Sequence, residues 1–410
     1  AMTRRTAPVP RRVAEAMQAR YRQALSRHGA GDLDAAAALY REILLRMPES
    51  FHALHMLGVL VGQRDDLEQS ARLIEHAIRV DPSVAAAHAN LGNTLRLLER
   101  GDDAMASYER ALRLQPDNTR ALKGRGLLLW KQRSVDAALA CYERLLQLEP
   151  GYADGWIMQG AILNLMKRND ESIASYRRAL EFDQLIGAEK IRYVLASMSG
   201  EAVPQTSPLE YVRHLFDRYA ANFDCHLVQQ LRYRVPERLT DRLRPLVPAG
   251  RIDVLDLGCG TGLCGALLKP WARSLTGLDV SEKMLDEARR KNFYDSLVAG
   301  EIGAWLPTQH ERFDLVVAAD VFIYIGDLDP VFAAVHGALR PGGLFAFSTE
   351  ASEDADTRLL ESLRYAHSAA YLQRLASAGG WAVESIARQV LREEENQEVG
   401  GHLTVLRRPR

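Results

Sequence analysis

The sequence has few cysteines. The four, Cys141, Cys225, Cys259 and Cys264, include no Cys-x-x-Cys pair and have no histidine at zinc-ligand spacing, which argues against a disulfide framework or a metal site and for reduced thiols in a cytoplasmic protein. Also missing is any run of about 18 apolar residues able to span a bilayer. The basic start of the chain lacks the apolar core of a secretion signal, and Ala1 ahead of Met2 reads as a cloning remnant. Neither sign of charge is in excess: 52 Lys and Arg face 53 Asp and Glu, so no global field recommends nucleic acid or an anionic membrane as a partner. With 47% hydrophobic and 26% charged residues, the composition is that of a folded globular protein. At 410 residues the chain exceeds what one core supports, and two domains are expected.

Prolines recur at 48, 82, 116 and 150, and Gln184 occupies the fifth position of that series. The same 34-residue step relates Gly58, Gly92, Gly126 and Gly160, and relates Tyr40, Ile74, Tyr108, Tyr142 and Tyr176. Three combs with one period mean stacked units. Within a unit, apolar residues at helical spacing, such as Leu91, Leu95 and Leu98 and then Ala104, Tyr108, Ala111 and Leu112, predict two amphipathic helices. A small residue on the first helix faces a large one on the second, and the proline ends the pair. This pattern resembles the tetratricopeptide repeat family over about residues 17 to 186, in about five repeats, the first degenerate with Ala24 at the glycine position. The resemblance implies an all-α solenoid in a domain spanning 1–186. It also implies a concave groove for a protein or peptide partner, where Asn90, Asn93, Arg125 and Asn164 are either carboxylate holders or solvated surface. Since such arrays also pair with each other, a homodimer is a further expectation.

Residues 187–207, with Gly187, Gly200, Pro204 and Ser207 and with Pro208 directly after, have the composition of a linker. The following stretch, 215–236, predicts helices ahead of a sheet. Tyr219, Phe223, His226 and Tyr233 on it are either aromatic core or a cover over a bound molecule.

Ile252 to Leu257 is a β-rich run that passes into Gly258-Cys259-Gly260-Thr261-Gly262 and then into a helix-like stretch. Glycines there permit a tight turn and close approach of a ligand to backbone N–H groups. About twenty residues on, Asp279 ends a second strand, where a carboxylate can accept both ribose hydroxyls. A dinucleotide site has the same plan, but its glycines are spaced Gly-x-Gly-x-x-Gly, whereas here they are spaced Gly-x-Gly-x-Gly behind Asp256. The run 254–262, with Gly-Leu-Asp279-Val280-Ser downstream, resembles the first two motifs of class I S-adenosylmethionine-dependent methyltransferases. Ala299-Gly300-Glu301-Ile302, 313–322 with Asp320, and 339–347 resemble the later ones in family order.

Over 208–410 the resemblance implies an α/β Rossmann-like methyltransferase domain with an N-terminal helical lid. Its seven-stranded sheet would be closed by an antiparallel terminal hairpin made from Trp381–Arg392 and His402–Arg407. S-adenosylmethionine, leaving as S-adenosylhomocysteine, would be held by Tyr219, Asp256, Gly258, Cys259, Gly260, Thr261, Gly262, Asp279, Val280, Met284, Glu301, Ile302 and Asp320. Cys259 would contribute only its backbone, no base standing beside it.

Methyl transfer needs no metal, and needs a base only where the acceptor must lose a proton. Candidates on the acceptor side are Tyr324 and Glu350 and, on a stretch near 355–377 that reads as helical, Arg364, Tyr365 and His367. Of these, Arg364 suits an anionic acceptor and His367 a base or positioner. Ala-Ala-Asp320-Val-Phe lacks the Asn/Asp-Pro-Pro-Tyr/Phe signature of base-amino methyltransferases, which argues against nucleic acid. A small metabolite and a protein side chain both remain open as acceptor. So does a second class, a repeat-based scaffold whose Rossmann-like domain binds S-adenosylmethionine without turnover.

Overall fold

A computed structural model describes residues 11–182, 187–394 and 397–410. The chain divides into two compact units, Ala1–Leu185 and Ile186–Arg410.

Among its described residues the first unit holds five helical hairpins: Arg11–Gly29 with Leu33–Arg46, Phe51–Gly62 with Leu67–Val80, Ala85–Leu97 with Gly101–Leu114, Thr119–Lys131 with Val135–Leu148, and Ala153–Leu165 with Asn169–Ala179. The glycine column meets the large-residue column as the spacing predicts. A Cβ on Gly92 would lie 2.6 Å from Tyr108 Cε1, one on Gly58 2.6 Å from Ile74 Cγ1, and one on Gly160 3.0 Å from the Tyr176 ring, distances no packed interior accommodates without movement. Gln184 lies outside the described residues.

A fourth comb is invisible in residue types. Gly31, Asp65, Glu99, Arg133 and Lys167 all have φ between 60° and 79°, each closing the first helix of its hairpin. The next residue reaches back across the turn in all five, as in Arg100 N–H to Leu95 O and Ser134 N–H to Leu129 O, both 2.9 Å, which satisfies carbonyls the helix end would otherwise leave unpaired. The polar residues expected in the groove serve mostly as ties between helices. Asn90 bonds His55 at 2.8 Å and accepts from Arg120 at 2.6 Å, Asn93 accepts from the Tyr108 hydroxyl at 2.7 Å, and Arg125 reaches Cys141 Sγ at 3.5 Å.

In the second unit the stretch expected to be a linker is built into the fold. Residues Ala188–Ser199 form a helix. Its Tyr193, 1% exposed, bonds Ser207 Oγ at 2.7 Å and donates to Leu363 O at 3.0 Å. Thr206 pairs with Ile325, and Gln205 O accepts from the N–H groups of Gly326 and Asp327 at 2.7 and 2.9 Å. Apolar and aromatic side chains, hidden in a composition rich in glycine and proline, make this segment structural. Helices Leu209–Tyr219 and Val235–Leu243 follow, with short helical turns between them.

Among the described residues nine strands make one sheet: β1 (Ile252–Leu257), β2 (Ala272–Asp279), β3 (Ser296–Ala299), β4 (Phe313–Ala318), β5 (Leu339–Ala351), β6 (Thr357–Leu359), β7 (Tyr365–His367), β8 (Ala382–Glu394) and β9 (Gln397–Arg407). The order β3-β2-β1-β4-β5 is parallel throughout. β9 then pairs antiparallel with both β5 and β8. These are the seven strands and terminal hairpin expected. Two short additions extend the sheet: β7 continues beside the end of β5, and β6 pairs with β7. Residues 355–377, read as helical, instead hold β6 and β7 joined by a turn up to His367, and the helix starts only at Ala369. Leu255, Val316, Phe345 and Phe347, none exposed, lie in the core on one face, and Val254, Leu315 and Ala346 lie in a second core on the other. Burial on both faces is what a parallel sheet requires. Among the described residues no helix is long and apolar enough to cross a membrane.

Candidate functional site

The carboxyl ends of β1, β2 and β4 open on a cavity of about 1270 Å³, the position at which open α/β sheets bind ligands. β1 enters a turn whose three glycines all have positive φ: Gly258 at 61°, Gly260 at 53° and Gly262 at 88°, conformations that side chains with a Cβ resist. A Cβ on Gly258 would strike Val321 Cγ2 at 2.5 Å, while one on Gly260 would meet only Phe223 at 3.8 Å. The turn is thus packed tightly underneath and open toward the cavity.

Asp279, at the end of β2, accepts the Gly260 N–H on Oδ2 and the Ser281 N–H on Oδ1, both at 2.9 Å. One backbone bond per oxygen leaves each with accepting capacity. Burial pushes its carboxyl up from the ordinary range, against the pull of those N–H groups. Asp256 is more deeply buried. It accepts from the Tyr294 hydroxyl at 2.7 Å, and burial pushes its carboxyl up to about 7.

Aromatic residues of the lid close the near wall. Tyr219, Phe223, His226 and Tyr233 all line the cavity, and the Tyr219 ring stands edge-on to Phe223 and His226. Polar ties fasten the lid to the turn and to β2: Ser281 Oγ donates to Asp217 at 2.6 Å, and Asp224 accepts from Thr261 Oγ1 and Lys291 Nζ.

Asp320, just after β4, is held in a left-handed conformation, φ 55°. Its N–H donates to Ser348 Oγ at 2.8 Å, the same hydroxyl donates to its Oδ1 at 2.9 Å, and Arg392 Nη1 donates to its Oδ2 at 2.9 Å. Arg392, 3% exposed, anchors a charged cluster at this end of the cavity. It also bonds Glu350 and, through Nε, Glu394 at 2.7 Å. Arg364 joins from the opposite side, donating to Glu394 at 2.6 Å, with its Nε 2.8 Å from Glu350 but lacking the direction of a hydrogen bond. Tyr324 lies beside this cluster and lines the cavity.

Of the residues expected to hold the cofactor, Tyr219, Asp256, Gly258, Cys259, Gly260, Asp279, Val280, Glu301, Ile302 and Asp320 line this one cavity. Thr261, Gly262 and Met284 do not. Thr261 is turned to the lid's Asp224, Gly262 packs on Tyr294, and Met284 is wholly buried in the first turn of the helix after β2, its N–H bonded to Ser281 Oγ. On the acceptor side Arg364 reaches the cavity, but Tyr365 and His367 do not. Tyr365 is buried and donates to Pro204 O at 2.6 Å. His367 is buried with Nε2 3.1 Å from Gly326 O, and burial pulls its imidazole down to about 4. Both are core residues in this fold, so neither is placed to act on an acceptor. Sequence reasoning missed Arg392, Glu394, Ser348 and residues 204–208, all of which build or line the cavity end. Their only sequence signal was charge on a predicted strand and apolar content in a loop. No group of metal-ligating side chains is present among the described residues.

The methyltransferase-domain family model matches residues 254–343, and the tetratricopeptide-repeat model matches 55–119 and 123–185. A malonyl-[acyl-carrier protein] O-methyltransferase of Pseudescherichia vulneris is 34% identical over 33% of this chain and 52% of its own length. A trans-aconitate 2-methyltransferase of Paracidovorax citrulli is 38% identical over 23% of this chain and 36% of its own. The chain thus spans about half the length, or less, of these two relatives. Methyltransferase-like protein 27 of Homo sapiens is 31% identical over 41% of this chain and 67% of its own length. A glycine turn and an acidic strand end in family order, on a sheet of the family's topology, agree with these matches, and the chain belongs to the S-adenosylmethionine-dependent methyltransferases, joined to an array of tetratricopeptide repeats.

Proposed function

We propose that the glycine turn, Asp279 and the lid hold S-adenosylmethionine at one end of the cavity and that the methyl acceptor enters the other end, between Asp320, Tyr324 and Arg364. One observation carries this reading: a single enclosure is bounded by Gly258, Gly260 and Asp279 at one end and by Asp320, Tyr324, Arg364 and Arg392 at the other, so donor and acceptor sites share it. The residues fit the donor. Gly260 offers open backbone where a side chain would intrude, and Asp279 retains acceptor capacity for two ribose hydroxyls. Glu301, between β3 and a short helix, lines the cavity, and the adenine amino group is assigned to it. Bound there, S-adenosylmethionine supplies a methyl group on a positively charged sulfur and is left as S-adenosylhomocysteine. The chain's part is to align the acceptor and exclude water, which the aromatic lid does.

With His367 in the core, no base comes from that residue. An acceptor that is already an anion needs none. The names of two relatives, a malonyl-[acyl-carrier protein] O-methyltransferase and a trans-aconitate 2-methyltransferase, support an acid as acceptor. The repeats recruit a protein or peptide partner, which either carries the acceptor or assembles the enzyme, and a repeat-mediated homodimer is one form of that assembly. Buried free thiols at Cys141, Cys259 and Cys264 suit a cytoplasmic enzyme.

Labelled S-adenosylmethionine incubated with the protein and host lysate tests this reading: label entering a protein or small-molecule fraction supports it. Binding of S-adenosylmethionine with no label transferred would instead favour the scaffold reading.

A further inference from the structure

The cluster at the far end of the cavity joins two arginines to three carboxylates, and its arrangement names a substrate feature. Glu394 receives one guanidinium N–H on each oxygen, from two different arginines: Arg364 Nη2 on Oε2 at 2.6 Å and Arg392 Nε on Oε1 at 2.7 Å. All three side chains line the cavity. Behind them Glu350, off the cavity wall, contacts both arginines, and Asp320 takes a further N–H of Arg392. The arginines are therefore held in place from the rear, whatever stands in front.

We propose that Arg364 and Arg392 form a clamp for a carboxylate of the methyl acceptor, and that Glu394 keeps the clamp filled until that carboxylate replaces it. This rests on the methyl-transfer reading and adds the acceptor's class: an acid with one carboxylate bound here and a separate atom taking the methyl group.

Charge counting favours exchange over addition. Two arginines face three carboxylates, Asp320, Glu350 and Glu394, so a substrate anion added on top would bring a second uncompensated negative charge into a low-dielectric wall. Replacement of Glu394 leaves the count unchanged and gives the two guanidinium N–H groups that Glu394 held a carboxylate again. Glu394 is also the member able to leave. It ends β8, and its side chain is 29% exposed against 4% for Glu350, so its hydration on release costs little. An amine acceptor fares worse. It would have to draw Glu394 from both arginines, leaving buried N–H donors without partners beside a third cation.

The test is calorimetric titration of the full-length protein, saturated with S-adenosylhomocysteine, with succinate, glutarate and 1,5-diaminopentane. The expectation is that a dicarboxylate binds the wild-type protein, that Glu394→Gln binds it roughly tenfold more tightly because its neutral amide competes poorly, and that Arg364→Gln loses at least tenfold. Equal dicarboxylate affinity in wild type and Glu394→Gln overturns the exchange. Absence of dicarboxylate binding to Glu394→Gln, or diamine binding that Glu394→Gln abolishes, overturns the clamp. S-adenosylhomocysteine affinity is measured in each protein first. Its absence in wild type would sink the methyl-transfer reading by itself, while equal values across the variants confine any change to the clamp.

Discussion

Gly260 donates its main-chain N–H to Oδ2 of Asp279 at 2.9 Å, so the turn after β1 and the end of β2 act as one hydrogen-bonded unit. Asp279→Ala therefore loosens the turn and, on the proposed reading, also removes a contact to the ribose. S-adenosylhomocysteine binding is expected to weaken by about 1.5–3 kcal/mol, the scale of a hydrogen bond to a charged group, with Asp279→Asn losing less because one oxygen remains to accept. Calorimetry returning wild-type affinity for the alanine variant would remove Asp279 from the ribose site.

Gly258→Ala meets two penalties at once: a positive φ of 61° and a Cβ 2.5 Å from Val321 Cγ2. Together they are expected to cost about 2–4 kcal/mol of unfolding free energy. The double variant with Val321→Ala relieves the contact but not the dihedral, so urea unfolding should show partial recovery. No recovery would mean the clash is not what makes this glycine necessary.

Asp256 gives a pH dependence whose sign is definite. Its carboxyl is raised in the folded protein from an ordinary value near 4 to about 7, so the folded state holds the proton more tightly than the unfolded state does. The stabilisation is complete below about pH 4 and is lost as pH rises through about 7, on the order of 4 kcal/mol in all. Asp256→Asn keeps an acceptor for Tyr294 and should flatten unfolding midpoints between pH 4 and 8. Parallel profiles for the two proteins would show that Asp256 ionises normally.

Tyr365→Phe leaves Pro204 O without the hydroxyl that donates to it at 2.6 Å and is expected to lower unfolding free energy by about 1–3 kcal/mol. S-adenosylhomocysteine affinity should change less than twofold. Methyl transfer lost at unchanged stability would return Tyr365 to the chemistry.

The misplacement of Arg364, Tyr365 and His367 has one cause. Read as a helix, residues 364 and 367 are three apart and share a face; in the fold Arg364 stands just ahead of β7, on which Tyr365 and His367, two apart, share a face. Beside the end of β5, the chain directs Arg364 into the cavity and buries Tyr365 and His367 in the core. The segment is short and apolar residues are few, so periodicity alone does not separate the two readings. Residues 187–207 carried a similar ambiguity, because turn-forming composition hid Tyr193, whose partners Ser207 and Leu363 lie 14 and 170 residues away.

By itself the sequence determined whatever depends on local repetition or local backbone chemistry. The 34-residue combs, the glycine turn, the acid ending the next strand and the order of motifs all recur within a few tens of residues, and short-range sterics enforce them. Tertiary structure alone decided which charges meet. Arg392 reaches Asp320 and Glu350 across 72 and 42 residues, and only the pairing of β9 with both β5 and β8 brings that arginine to the cavity. Such contacts leave no period in the chain, because they depend on strand order and register, which no single segment encodes.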